Sequence, residues 1–270
     1  MIKNIFLISL LLVFLSCESS GGDDTQNPQN DKLTLELVAD NTNTTIDQIV
    51  SFEVKTNKPF GSITISEDNF ETEVTTQSSQ VNGFGTSMTL YVNTANIGDV
   101  THSIRVKDVN DASIEASSAI TFTVEKGNAV HIKEILVNNF YDKDNTWDTE
   151  FSGTDPNRLA DVFFAILKPH IGTKTGTKTQ RLWYKSITKE NQGDLKWDLS
   201  QENLYVDPNT IIQFALADDD GGGIGQDLLL GPPFEKDINL SQYSATTPNN
   251  INLEDSAINL DVDFTLEWSN

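Results

Sequence analysis

At 270 residues the chain is long enough for two medium domains or one large one. Its 40 Asp and Glu against 18 Lys and Arg leave a formal charge of −22, which argues against nucleic acid as a partner, because phosphate binding needs a basic footprint. A single cysteine rules out an intrachain disulfide framework, so the core alone must hold the fold.

The first element is an export signal over residues 1–16. Lys3 supplies a short positive region, Ile5 to Leu15 is apolar except for Ser9, and Leu15-Ser16 leads into Cys17. The apolar run is shorter than the roughly 20 residues that span a bilayer. A signal closing on a lone cysteine resembles the lipobox of bacterial lipoproteins, and that resemblance implies that Cys17 is lipidated and anchors the chain to a membrane. Residues 17–31 carry no large apolar side chain after Cys17 and read as a flexible tether. The run Glu18-Ser19-Ser20-Gly21-Gly22-Asp23-Asp24 resembles the acidic export tag of Bacteroidetes surface lipoproteins, which implies an outer-membrane, lipid-anchored protein at the cell surface.

From residue 32 to 126 the hydropathy pattern has period two. Leu33, Leu35 and Leu37, then Val50, Phe52 and Val54, Ile63 and Ile65, Met88, Leu90 and Val92, Ile104 and Val106, and Ile120, Phe122 and Val124 each alternate with polar neighbours, as half-buried antiparallel strands do. Turn-forming clusters such as Asn57-Lys58-Pro59 and Asn110-Asp111 separate them. Roughly seven such strands predict a β-sandwich. The pattern is similar to that of the bacterial immunoglobulin-like domains that act as spacers in surface proteins.

A second β-sandwich is expected over 127–270, making the fold class all-β with two consecutive sandwiches. It opens on Val130, Ile132 and Ile135-Leu136-Val137 and carries all four tryptophans. In its last strand Ile258, Leu260, Val262, Phe264, Leu266 and Trp268 alternate with Asn259, Asp261, Asp263, Thr265 and Glu267, so one face is buried and the other wet. Only Gln226 to Leu230 offers a short helical alternative.

Two loops of this half concentrate acids at strand ends. The first holds Asp142, Asp144, Asp148, Glu150 and Asp155 before the strand that starts at Asp161; the second leaves the strand Ile211–Leu216 into Asp218-Asp219-Asp220 and, past a glycine run, Asp227. Calcium takes six to eight oxygen ligands, and two loops meeting at one edge could supply them. If Ile212, Phe214 and Leu216 face the core, Asp218 and Asp220 continue on that side and Asp219 turns away. Trp147, in the acidic loop, is the candidate aromatic platform for a bound ligand.

An aspartate heading a strand, with an earlier loop aspartate, then Asp-x-Asp at a strand end and a further Asp before an apolar-Gly turn, resembles the C-two domain, the calcium-dependent phospholipid-binding β-sandwich. Asp155 and Asp161 stand at its first calcium loop, with Asp148 an equal choice for the earlier position; Asp218, Asp220 and Asp227 stand at its second, in Asp218-Asp219-Asp220 and Asp227-Leu228-Leu229-Leu230-Gly231. The resemblance implies calcium as cofactor, with metal ligands among Asp148, Asp155, Asp161, Asp218, Asp220 and Asp227. No Pro follows Asp161, unlike the family pattern.

Other chemistries fail on the residues. Asp142-x-Asp144-x-Thr146 begins like an EF-hand, but Trp147 occupies its glycine position and Gly153 its final glutamate position. His102, His131 and His170 are scattered without zinc-ligand spacing. No nucleophile elbow or histidine-centred triad is present. The expectation is a non-catalytic surface lipoprotein whose second sandwich binds calcium and presents a face to a glycan, lipid or protein. A glycan-binding lipoprotein of a polysaccharide utilisation system and a purely structural scaffold are the alternatives.

Overall fold

The computed structural model describes residues 32–71, 74–77, 83–221 and 225–269, with the side chains of 74–77 left aside. The export signal, Cys17 and the tether through residue 31 lie outside the described residues, as do Gly222 and Gly223 of the glycine run. Leu33–Asn270 forms one compact unit and is all-β. Among the described residues, helix is confined to three short 3-10 turns, and no helix is long and apolar enough to cross a membrane.

The first eight strands are β1 (Leu35–Val38), β2 (Asn43–Thr45), β3 (Val50–Thr56), β4 (Phe60–Ser66), β5 (Val74–Gln77), β6 (Ser87–Val92), β7 (Gly98–Asp108) and β8 (Glu115–Glu125). They form a three-stranded sheet β1-β3-β6 and a five-stranded sheet β2-β8-β7-β4-β5. Phe52 and Val54 of β3 and Leu90 and Val92 of β6 share one apolar cluster with Phe60, Ile63, Ile104, Val106 and Phe122 of the second sheet. The period-two residues are thus the ones that face inward. His102 breaks the apolar pattern: it is 1% exposed, lies against Phe52 and Phe122, and neither ring nitrogen has a hydrogen-bond partner among the described residues.

The remaining strands are β9 (Val130–Asn139), β10 (Val162–Ile171), β11 (Lys178–Lys185), β12 (Lys196–Asp198), β13 (Tyr205–Val206), β14 (Ile211–Asp218), β15 (Gln226–Asp227), β16 (Lys236–Asn239), β17 (Asn250–Asp255) and β18 (Leu260–Trp268). One sheet runs β12-β9-β18-β17 with β13 also on β9, the other β11-β10-β14-β15 with β16 also on β14. Their inner faces share a second core, in which Phe214 meets Phe264 across the sheets at 5.6 Å between ring centres. In β18 Leu260, Val262, Phe264 and Leu266 are buried and alternate with wetter residues. Gln226–Leu230 is not helical. Gln226 and Asp227 pair with Asp218 and Ala217 as a short strand, because the edge of β14 offers them backbone partners.

The two cores meet at a polar lock. Lys168 occupies an inward position of β10, in parity with Val162, Phe164 and Ile166. Its ammonium bonds to Asp47 Oδ1 at 2.9 Å, Ala95 O at 3.0 Å and Tyr205 O at 2.6 Å, and lies 3.8 Å over the Trp183 ring. Asp47 Oδ2 in turn accepts from the Asp207 amide. Burial pushes Lys168 down to about 8 and Asp47 above its ordinary value, so desolvation opposes both charges. The pair persists because every donor on the ammonium finds an oxygen. Nearby, Asn93 presents its side-chain amide to the backbone N–H and C=O of Ile171, at 2.7 and 3.0 Å, in the manner of a neighbouring strand.

Candidate metal centre

Strand pairing brings the two acidic loops to one end of the second sandwich. Val162 at the start of β10 lies opposite Asp218 at the end of β14. The Asp161 amide donates to Asp218 Oδ1 at 2.6 Å, and the Asp219 amide donates to Asp161 O at 2.8 Å. The long first loop is folded back by its own backbone: the amides of Trp147 and Asp148 both donate to Arg158 O, and Arg158 Nη1 donates to Asp144 O. Asp148 is thereby carried to the strand ends.

Carboxylate oxygens of Asp148, Asp218 and Asp220 all lie within 4.8 Å of one another. Two oxygens on opposite sides of a calcium ion, each at about 2.4 Å, are about 4.8 Å apart, so the group has the dimensions of a partial coordination sphere. Its members differ in exposure. Asp218 is 0% exposed, Asp148 is half-buried and Asp220 exposed, which leaves the group a closed inner side and an open outer one.

The electrostatics show that the trio resists its own charge. Burial first, then repulsion from Asp220, Asp148 and Asp161, pushes Asp218 up to about 6, although the hydrogen bond from the Asp161 amide acts the other way. Asp148 is also raised, by burial and by Asp161, Glu150 and Asp220. Asp218 Oδ2 is buried and without a hydrogen-bond partner among the described residues. A buried carboxylate oxygen left bare costs free energy unless a proton or a cation meets it. The nearby ammonium of Lys185 does not serve: it lies 3.8 Å from Asp219, on the outward side of the strand.

Asp218 continues the inward row of Ile212, Phe214 and Leu216, Asp220, though exposed, brings its carboxylate back to the trio, and Asp219 turns away to accept from Thr188 Oγ1. Asp161 sits beside the trio, with Oδ1 accepting from the Asn191 amide at 2.7 Å, and it raises both Asp148 and Asp218 by its charge. Two expected ligands are placed otherwise. Asp155 caps the 3-10 turn Pro156–Arg158 and accepts from the Asn157 amide. Asp227 spends both oxygens on a turn, accepting from the amides of Leu229 and Gly231. In each case short-range backbone donors hold the carboxylate, as Asx turns do, and neither residue belongs to the trio. Of the two choices for the earlier loop position, the structure brings in Asp148 and leaves Asp155 aside.

Trp147 is half-buried and packs on the second core, and its indole N–H donates to Asp142 O at 3.2 Å. It buttresses the acidic loop and leaves only part of its surface for a ligand. Gly225 has the opposite requirement. A Cβ there would fall 1.9 Å from Asp218 O, so only glycine lets the returning chain lie this close to the acidic strand end. No protein-family model matches the chain, and no curated protein matches it.

Proposed function

We propose that the chain is a non-catalytic surface lipoprotein, anchored through Cys17, whose second sandwich binds calcium between Asp148, Asp218 and Asp220 with Asp161 alongside. The observation that carries the reading is Asp218: its Oδ2 is a fully buried carboxylate oxygen with no partner among the described residues, and its carboxylate lies within 4.8 Å of two others. A divalent cation satisfies that oxygen and cancels the repulsion that raises Asp148 and Asp218. Calcium suits the set better than magnesium, because it tolerates irregular oxygen cages and a variable number of waters on the open side. The C-two-like reading is supported by Asp161 at the head of β10 facing Asp218 and Asp220 at the end of β14. The ion ties the long first loop to that strand end, and the ordered edge then serves as a platform for a lipid, glycan or protein.

Thermal melting in chelator, then with calcium or magnesium added, tests the proposal. At 100 times its dissociation constant a ligand adds about 2.7 kcal/mol to the native state, or roughly 5–10 °C for a chain of this size. Calcium produces that rise and Asp220→Asn reduces it. An unmoved melt at millimolar calcium overturns the reading.

A further inference from the structure

At the junction of the two sandwiches lies a cleft of about 890 Å³, within the ~300–1,000 Å³ of ordinary ligand sites. Its character is set by a bulge. Ile166 pairs with Tyr184 but Leu167 with Leu182, so Trp183 is the extra residue of β11 and is re-aimed out of the strand alternation. Its indole N–H reaches Asn96 Oδ1 of the first sandwich at 2.9 Å, and the half-buried ring lines the cleft beside Leu182, which is 61% exposed.

Arg181 shares that wall. Lys58, Lys133, Lys168, Lys185, Lys196 and Lys236 each sit on a carboxylate. Arg181 instead has only His170 Nε2, 3.0 Å from its Nη1, as a hydrogen-bond partner among the described residues. His170 Nε2 also receives Asn93 Nδ2, so that nitrogen is an acceptor and the imidazole is neutral. Although Glu67 and Asp68 also line the cleft, Arg181 forms no ion pair among the described residues, and its guanidinium has donors left in the fork that matches a bound carboxylate. The cleft is also lined by Glu67, 67% exposed, and, next to Trp183, by Asn96, whose amide nitrogen has no hydrogen-bond partner among the described residues.

We propose that this cleft binds a carboxylate-bearing saccharide, with Arg181 forking onto the uronate carboxylate, Trp183 and Leu182 meeting the apolar face of the ring, and Glu67 and Asn96 bonding its hydroxyls. The mixed wall selects the class. A carboxylate such as Glu67 accepts only, so it favours a ligand rich in hydroxyl donors, which a saccharide carries on every ring and an acidic peptide does not. The site shares no residue with the carboxylate trio and stands independently of the calcium reading.

Titration calorimetry of the full chain with trigalacturonate, in EDTA, tests it, with neutral galactotriose and triglutamate as controls. Trigalacturonate or its glucuronate or mannuronate counterpart binds. Arg181→Ala weakens that binding by about tenfold or more with an unchanged melting temperature, since Arg181 is exposed. Arg181→Lys retains part of the affinity, and Asp218→Asn binds like the parent chain. Failure of all three uronates to bind, equal binding of galactotriose or triglutamate, or affinity unchanged by Arg181→Ala overturns the proposal.

Discussion

Replacing Asp218 by Asn should change stability in opposite directions with and without calcium. The carboxyl titrates near 3.8 when unperturbed and near 6 in the folded chain. A carboxyl raised in this way stabilises the fold fully below the unfolded value and loses that contribution as pH rises through 6. At about 1.36 kcal/mol per pH unit the displacement corresponds to roughly 3 kcal/mol of cost at pH 7.5. Asn keeps an oxygen for the Asp161 amide, now bonded to Oδ1 at 2.6 Å, and puts an uncharged N–H₂ donor in place of the bare Oδ2, in a side chain that neighbours Asp148 and Asp220. In chelator at pH 7.5 the variant should therefore melt higher than the parent, by roughly 4–8 °C for about 2 kcal/mol retained. At pH 4 the two should converge. With calcium at 100 times its dissociation constant the parent gains about 2.7 kcal/mol and the variant gains little, so the difference closes or reverses. Differential scanning calorimetry across that grid of pH and calcium is the assay. A variant that melts lower than the parent in chelator at pH 7.5 would refute the account of a strained carboxylate, and equal calcium shifts in both chains would refute the assignment of the ion to this trio.

Other residues lead to further expectations. Asp155→Ala should cost about 1 kcal/mol through its lost cap yet leave the calcium shift intact, because its carboxylate holds Asn157 and not the trio; a lost shift would return it to the ligand set. Gly225→Ala should destabilise the chain by about 1–3 kcal/mol and abolish the calcium shift, since its Cβ collides with Asp218 O; melting with and without calcium reads both. Lys168→Met and Asp47→Asn should each cost about 3–5 kcal/mol by leaving a buried charge unpaired, and the double variant should cost less than their sum, as urea denaturation of the full cycle will show. His102, whose pKa burial lowers against a minor opposing pull from Glu67, binds a proton more readily unfolded than folded. Its contribution is complete above about 6.5 and shrinks as pH falls below that value, so His102→Leu should narrow the loss of stability between pH 7 and 5.

Much of the architecture was legible because β-structure writes its orientation into alternate residues. The row Leu260, Val262, Phe264 and Leu266 is buried as period two demands, and the same parity separated Asp218 and Asp220 from Asp219. Parity also carried a signal that hydropathy alone passes over: Lys168 stands in the inward row of Val162, Phe164 and Ile166, and a lysine in such a row must meet oxygens. The acidic end of the second sandwich was legible as a cluster of loop aspartates. Which aspartates converge was not, because an Asp in a loop can satisfy its own turn, and spacing does not distinguish the Asp155 cap or the Asp227 turn from a ligand.

Local pattern, then, determined the fold class, the strand faces and the acid-rich end, since those depend on side-chain alternation and turn chemistry within a few residues. Tertiary structure alone decided the rest. Pairing of β10 with β14 across 57 residues joins Asp161 to Asp218, backbone bonds to Arg158 bring Asp148 to them, and a one-residue slip between β10 and β11 aims Trp183 at the first sandwich. Those outcomes depend on register between distant segments, and register is chosen by the packing of whole sheets.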